Sequence, residues 1–227
     1  MRVDEVLQGM GIKTLIEEGE WMYIATDYRY KGWIKRHYLI PKTDSHSHYV
    51  KVAVADVLTE PKVQAALLIC LTLGCTVQVI SEEKSGWVQV SLADGSVGSI
   101  RSAFLEKFPQ TLERDAVCQS AKLYLNSQYR WGGKSPLGID CSGLCFMAYW
   151  LNGMHIYRDA KIVPDFAIKE ISPDSAGRGD LLFFPGHVGM LIENDLMIHS
   201  SESGNGVKIE VFTQEWKNRL LATGSCF

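Results

Sequence analysis

Hydrophobic and polar positions alternate through the first hundred residues and take a helical period afterwards. Leu15-Ile16, Trp21-Met22-Tyr23-Ile24, Gln78-Val79-Ile80 and Trp87-Val88-Gln89-Val90 are short runs separated by acidic or polar turns, the period-two pattern of β-strands. The later runs repeat the earlier ones. Trp21, Gly32, Ile34 and Leu39 recur as Trp87, Gly98, Ile100 and Leu105 at a constant offset of 66 residues with no gap. Units of about 50 residues built from such strands predict two small all-β barrels in tandem. Pro41–His48 reads as a polar linker between them, with His46 and His48 as solvated loop residues. The copies differ where Tyr30-Lys31-Gly32-Trp33 stands against Ser96-Val97-Gly98-Ser99. Surface drift accounts for that difference, and so does an aromatic face presented to a ligand or a neighbouring domain.

From Thr111 the period changes. Glu113–Asn126 places Ala116, Val117, Ala121, Leu123 and Tyr124 on one stripe, which predicts an amphipathic helix. Cys141–Asn152 (CSGLCFMAYWLN) is apolar nearly all round and predicts a buried helix that opens at or beside Cys141. Asp180–Phe184 and Val188–Ile192 read as strands flanking Pro185-Gly186-His187. A third, Leu196-Met197-Ile198, returns through Glu193-Asn194-Asp195 and ends on His199. Paired as a hairpin, these strands bring both imidazoles to one edge.

Composition narrows the partners. The 227 residues are 46% hydrophobic and 22% charged with a net charge of −3, an ordinary globular balance. The 23 basic and 26 acidic residues form no basic block, which argues against nucleic acid. The longest apolar run, Ala65–Leu73, is about half of a bilayer span, and the first residues hold no apolar signal core. The chain as written is therefore expected in the cytoplasm, unless a leader precedes Met1. Cysteines at 70, 75, 118, 141, 145 and 226 form no CxxC pair and no histidine stands at zinc-ligand spacing from them, so neither a metal nor a disulfide framework is expected.

Five of these thiols read as packing groups; Cys141 does not. The unpaired N–H groups and dipole of a helix N-terminus lower a thiol pKa from about 8.5. The same N–H groups can bind the oxyanion formed when a carbonyl is attacked. Cys145, one turn further in, is packing. A thiol nucleophile requires a base and an orienter for that base, and histidines on adjacent strands satisfy the requirement.

Tyr129-Arg130-Trp131-Gly132-Gly133, Gly138-Ile139-Asp140-Cys141-Ser142-Gly143-Leu144, Gly186-His187-Val188-Gly189-Met190 and Ile198-His199-Ser200 together resemble the NlpC family of papain-like cysteine peptidases, which cut bacterial cell-wall peptides. The strand spacing of the first half resembles bacterial SH3-like domains. With Tyr157-Arg158-Asp159-Ala160 added, the chain is similar to the γ-D-glutamyl-L-diamino-acid endopeptidases. The resemblance implies two SH3-like barrels, at 1–44 and 49–108, followed at 109–227 by an α+β papain-like catalytic domain with helices packed on an antiparallel sheet. It implies Cys141 as nucleophile, His187 as general base, His199 as its orienter, and Tyr129 sharing the oxyanion with the Cys141 amide.

Asp140 beside a thiolate opposes its charge, so the carboxylate is expected to point at substrate. The resemblance supplies a target: the free amine of an N-terminal L-alanine, bound by Asp140, Ser142, Asp159, Glu5 and Tyr30. Val6–Met10 departs from the relatives, which usually carry a tyrosine before the glycine and an acid after it. The expected reaction is hydrolysis of the γ-D-glutamyl bond in L-Ala-γ-D-Glu-diamino-acid stem peptides of murein, for wall recycling. No cofactor, obligate protein partner, nucleic acid or membrane is expected. The alternatives are an acyltransferase or transpeptidase using the same Cys-His pair, and a non-catalytic module that binds wall peptides.

Overall fold

Alternation builds the first half. The computed structural model describes residues 1–41 and 46–227; the linker residues 42–45, and with them the boundary expected at 44, lie outside the described residues. The chain divides into two compact units, Val6–Phe108 and a second that joins Met1–Glu5 to Pro109–Phe227. In the first unit β1 (Ile12–Glu18), β2 (Trp21–Thr26) and β3 (Lys31–Lys35) form an antiparallel three-stranded sheet. β4 (His48–Val50), β5 (Val54–Leu58), β6 (Leu67–Thr72), β7 (Thr76–Val79), β8 (Trp87–Ser91), β9 (Val97–Arg101) and β10 (Leu105–Lys107) form a seven-stranded sheet in the order β10-β4-β7-β8-β9-β5-β6.

The 66-residue repeat is present as a local unit. In β2–β3 Trp21 lies opposite Lys35, and in β8–β9 Trp87 lies opposite Arg101. Each hairpin ends in a single 3₁₀ turn, Arg36–Tyr38 or Ser102–Phe104. In each the facing cation sits over the tryptophan, Lys35 at 5.8 Å and Arg101 at 4.1 Å from the ring centroid. Beyond these hairpins the copies part, one ending as three strands and the other lying inside seven. The expected fold class, two SH3-like barrels ahead of a separate catalytic domain, is thereby corrected: one β-rich unit stands there, and the catalytic unit takes in the first five residues. A repeated hairpin dictates its own register and turn; which strands join its free edges depends on pairings distant in sequence. His46 and His48 are half-buried, the first bonded to the Thr76 hydroxyl at 2.5 Å and the second to Ser47 Oγ at 2.7 Å, so neither is a solvated loop residue.

The second unit opens with α1 (Arg114–Lys122), then β11 (Lys134–Ser135), β12 (Gly138–Ile139) and α2 (Cys141–Trp150). It continues through β13 (Lys169–Ile171), β14 (Leu181–Phe184), β15 (His187–Glu193), β16 (Leu196–Ser201), β17 (Gly206–Val211), α3 (Gln214–Asn218) and β18 (Ala222–Ser225). Six of these strands form an antiparallel sheet in the order β13-β18-β14-β15-β16-β17. Every residue of α2 is buried, as a sequence apolar nearly all round requires. Asn152 donates to Ser120 Oγ at 2.9 Å and so ties the end of α2 to α1. Leu123, expected on the buried stripe of α1, is exposed, because at about 100° per residue it points away from the face that buries Val117, Ala121 and Tyr124. One face of the sheet packs Leu182, Phe184, Leu191 and Met197 against Phe212, Trp216 and Leu220. Leu181, Phe183 and Val188 alternate to the opposite face, where they line a cavity with Cys145 of α2. Among the described residues no helix is long and apolar enough to cross a membrane.

Candidate active site

The mouth of α2 is held by Asp140, and Asp140 is held in turn. Its carboxylate caps the helix by accepting the Gly143 N–H at 2.6 Å, and it accepts the Gly132 N–H at 2.7 Å. Arg158 grips both of its oxygens, at 3.0 and 3.1 Å. The same guanidinium donates to Ser142 Oγ at 2.8 Å, the Gly133 carbonyl at 3.2 Å and Asp4 Oδ1 at 2.8 Å. Asp4 also pairs with the ammonium of Lys134 at 3.2 Å, and Glu5 accepts the Lys134 N–H at 2.7 Å. The double glycine Gly132-Gly133 permits this closeness: a Cβ on Gly133 would stand 2.1 Å from the Gly138 carbonyl oxygen.

That network occupies two residues expected at the substrate amine: Asp140 caps the helix and pairs with Arg158, and Glu5 braces the loop at Lys134. Burial would lower the Arg158 pKa, but Asp140 and Asp4 raise it, so the guanidinium stays charged. Lys134 lies in the same network but is fully buried, and desolvation brings its pKa down to about 8 against the opposing pull of Asp4.

The sulfur of Cys141 lies at this mouth. Burial, and then the charge of Asp140, push its pKa above the ordinary thiol value, while N–H groups of Val188 and Ser142 and the charge of Arg158 pull the other way and lose. This reverses the expected direction. A carboxylate cap already occupies the helix N-terminus, so the dipole that would favour a thiolate is largely answered by Asp140. Cys141 rests as a neutral thiol, with its sulfur against the backbone where His187 joins Val188. Burial first, then Cys141 and Asp140, push the Tyr129 pKa up to about 12, so its hydroxyl stays a donor. Cys145 is fully buried and its pKa is raised well above the ordinary value by desolvation, which suits a packing group.

The imidazoles meet across one sheet face. Gly189 of β15 lies beside His199 of β16, and a Cβ there would come within 2.5 Å of Met197 Sδ and 3.4 Å of His199 Cβ. Because Gly189 has no side chain, His187, two residues earlier on the same face, can reach diagonally to His199. His187 Nε2 and His199 Nδ1 are 2.8 Å apart. Phe184 and Trp216 flank the His187 ring at centroid distances of 6.0 and 5.9 Å. Burial, then His199 and Arg219, bring the His187 pKa down to about 4. His199 is lowered as well, chiefly by burial, with Glu210 opposing. Both rings are neutral at pH 7, and Nδ1 of His187 is the nitrogen left for a proton from sulfur.

Ser142 and Asp159 line the cavity beside Cys145, together with Tyr157, Lys161 and the apolar Phe166 and Phe183. Tyr30 lies in the first unit, half-buried, with its N–H bonded to Thr26 Oγ1 at 3.0 Å. Among the described residues no three His, Cys, Asp or Glu side chains are grouped to hold a metal ion. Sequence reasoning passed over Asp4, Lys134, Arg158 and Glu210. Arg158 stands inside a quoted motif, next to Asp159, where only the acid was weighed. Lys208-x-Glu210 is an i, i+2 pair on the strand after His199, a pattern that alternation alone assigns to one face.

A model of the NlpC/P60 family matches residues 126–225. Over 99% of its length the chain is 41% identical to dipeptidyl-peptidase 6 of Lysinibacillus sphaericus, 92% of which it spans. The chain belongs to the NlpC/P60 family. It is also 26% identical to the γ-D-glutamyl-L-lysine dipeptidyl-peptidase of Bacillus subtilis, over 98% of this chain and 80% of that one. The crystal structure of an NlpC/P60 family protein from Bacillus cereus superposes with a TM-score of 0.85 at 22% identity, over 97% of this chain and 81% of that one, which shows a common fold. This NlpC/P60 protein is a cysteine peptidase.

Proposed function

We propose that this peptidase hydrolyses the γ-D-glutamyl–diamino-acid bond of murein stem peptides that begin with a free L-alanine, in cell-wall peptide recycling. The observation that carries the reading is the 2.8 Å His187–His199 contact beside a thiol whose sulfur lies against the His187–Val188 backbone. The name of one relative above, a γ-D-glutamyl-L-lysine dipeptidyl-peptidase, supports the choice of bond. In this mechanism the Cys141 proton passes to His187 Nδ1 as sulfur attacks the γ-glutamyl carbonyl. The Cys141 N–H and the Tyr129 hydroxyl meet the oxyanion. His187 then gives its proton to the departing diamino-acid amine, and a water activated by the same imidazole hydrolyses the thioester.

Asp159 and Ser142, which line the cavity of the catalytic unit, are the groups assigned in this reading to the substrate ammonium. Mass spectrometry of L-Ala-γ-D-Glu-diaminopimelate, beside its N-acetylated analogue, tests the proposal. Release of L-Ala-γ-D-Glu from the free-amine peptide is expected, at a rate at least about 10³-fold lower in Cys141→Ala. Equal cleavage of the acetylated peptide removes the amine-binding role, and unchanged turnover by Cys141→Ala removes the nucleophile.

A further inference from the structure

The catalytic pair continues into a third strand. Lys208 lies opposite His199 in the β16–β17 ladder, and Glu210 lies opposite Met197, so Lys208, Glu210, Met197 and His199 share one sheet face. Glu210 Oε1 stands 3.1 Å from His199 Nε2, off the line of a straight N–H bond, and that nitrogen is buried without another partner among the described residues. Glu210 is itself immobilised. Trp216 Nε1 donates to its Oε1 at 3.0 Å, and Lys208 Nζ pairs with its Oε2 at 2.6 Å. The same Trp216 ring borders both imidazoles, with centroids 5.9 Å from His187 and 5.5 Å from His199.

We propose that Glu210 is a positioning residue: acting through His199, it fixes the His187 tautomer whose bare Nδ1 takes the Cys141 proton. This rests on the roles given above to Cys141 and His187. An ionised carboxylate only accepts, so it favours the His199 proton on Nε2, since the other tautomer would set a lone pair against it at 3.1 Å. His199 Nδ1 is then an acceptor, and the 2.8 Å contact requires the His187 proton on Nε2. His187 Nδ1 is left unprotonated. When the thiol proton moves there, the imidazolium that forms lies at the head of a chain ending in negative charge. The proton remains on His187 until the leaving amine takes it, and Glu210 stays ionised throughout. Burial alone would raise the Glu210 pKa, but Lys208, His199 and Trp216 outweigh it and hold the carboxylate below its usual range.

Long-range ¹H–¹⁵N NMR of the histidines, run with steady-state kinetics, tests this. Wild-type His187 is expected as the Nε2–H tautomer. In Glu210→Ala a mixture of tautomers is expected, with kcat lower by about 10–100-fold and KM within about twofold. Glu210→Gln keeps an acceptor oxygen without its charge. It is expected to lose about tenfold in kcat and to move the acid limb of kcat/KM to lower pH, because Glu210 is the group that raises the His187 pKa against His199 and Arg219. If Glu210→Ala does not fold, the Gln variant decides. Wild-type His187 found as the Nδ1–H tautomer overturns the proposal, as does a folded Glu210→Ala or Glu210→Gln with unchanged kcat and acid limb. The NMR result needs no turnover, so a wild-type protein inert on the stem peptide would refute the substrate assignment and leave this one standing or falling by itself.

Discussion

The two units differ most in where they keep their charges. Among the described residues, the buried polar side chains of the first unit are the hydroxyls of Thr26, Thr76 and Ser99. Its ion pairs, Arg36–Glu17, Lys51–Glu106 and Lys62–Glu60, leave at least 40% of each side chain exposed. The catalytic unit instead buries Lys134, Asp140, Arg158, Asp180 and His199. Exposed pairs contribute little because water and salt screen them. A buried charge must be matched by a partner and by hydrogen bonds, and once matched it holds its neighbours in place. Arg158 does this for Asp4, Gly133, Asp140 and Ser142, which surround the helix mouth where chemistry occurs.

Breaking the buried network should have the largest effect. Arg158→Met leaves Asp140 and Asp4 without their main counter-charge, and about 3–5 kcal/mol of stability in the catalytic unit should be lost, read from its denaturant midpoint. A loss under about 1 kcal/mol would mean that the network is not structural.

Acid comes next. His187 titrates near 4 in the folded chain and near 6.5 when unfolded. Between those values the unfolded chain binds more protons, so stability falls as pH drops through that window, by up to about 3 kcal/mol below it. His187→Gln should lack that component of the acid loss. In wild-type protein the acid limb of kcat/KM should lie near pH 4, and a limb near 6.5 would show that His187 is not desolvated.

The smallest effect belongs to the first unit. Arg36→Ala breaks the Glu17 pair on the surface and should change stability by less than about 0.5 kcal/mol in the same denaturation assay. A change as large as that for Arg158 would erase the contrast between the units.

Local rules carried far in this protein. The 3.6 period located α1, an all-round apolar run located α2, short apolar runs between turns located β14, β15 and β16, and the strand order around the Pro185-Gly186 turn brought His187 to His199. Where the reading stopped, a distant partner decided. Asp140 was expected to point at substrate because its charge opposes a thiolate; Arg158, 18 residues on, pairs with it instead of leaving it to face the sulfur alone. The thiol pKa was expected to fall because a helix mouth considered by itself is positive, and one capped by a buried carboxylate is not.

Periodicity and motif order were enough to place a thiol at the start of a buried helix and two histidines on neighbouring strands, because backbone geometry converts residue spacing directly into a face and a direction. The partners of Asp4, the strands that extend each repeated hairpin, and the protonation states of Cys141 and His187 came only from the folded chain. Charge and dielectric are properties of neighbours in space, and those neighbours are drawn from as far apart as residues 4 and 158.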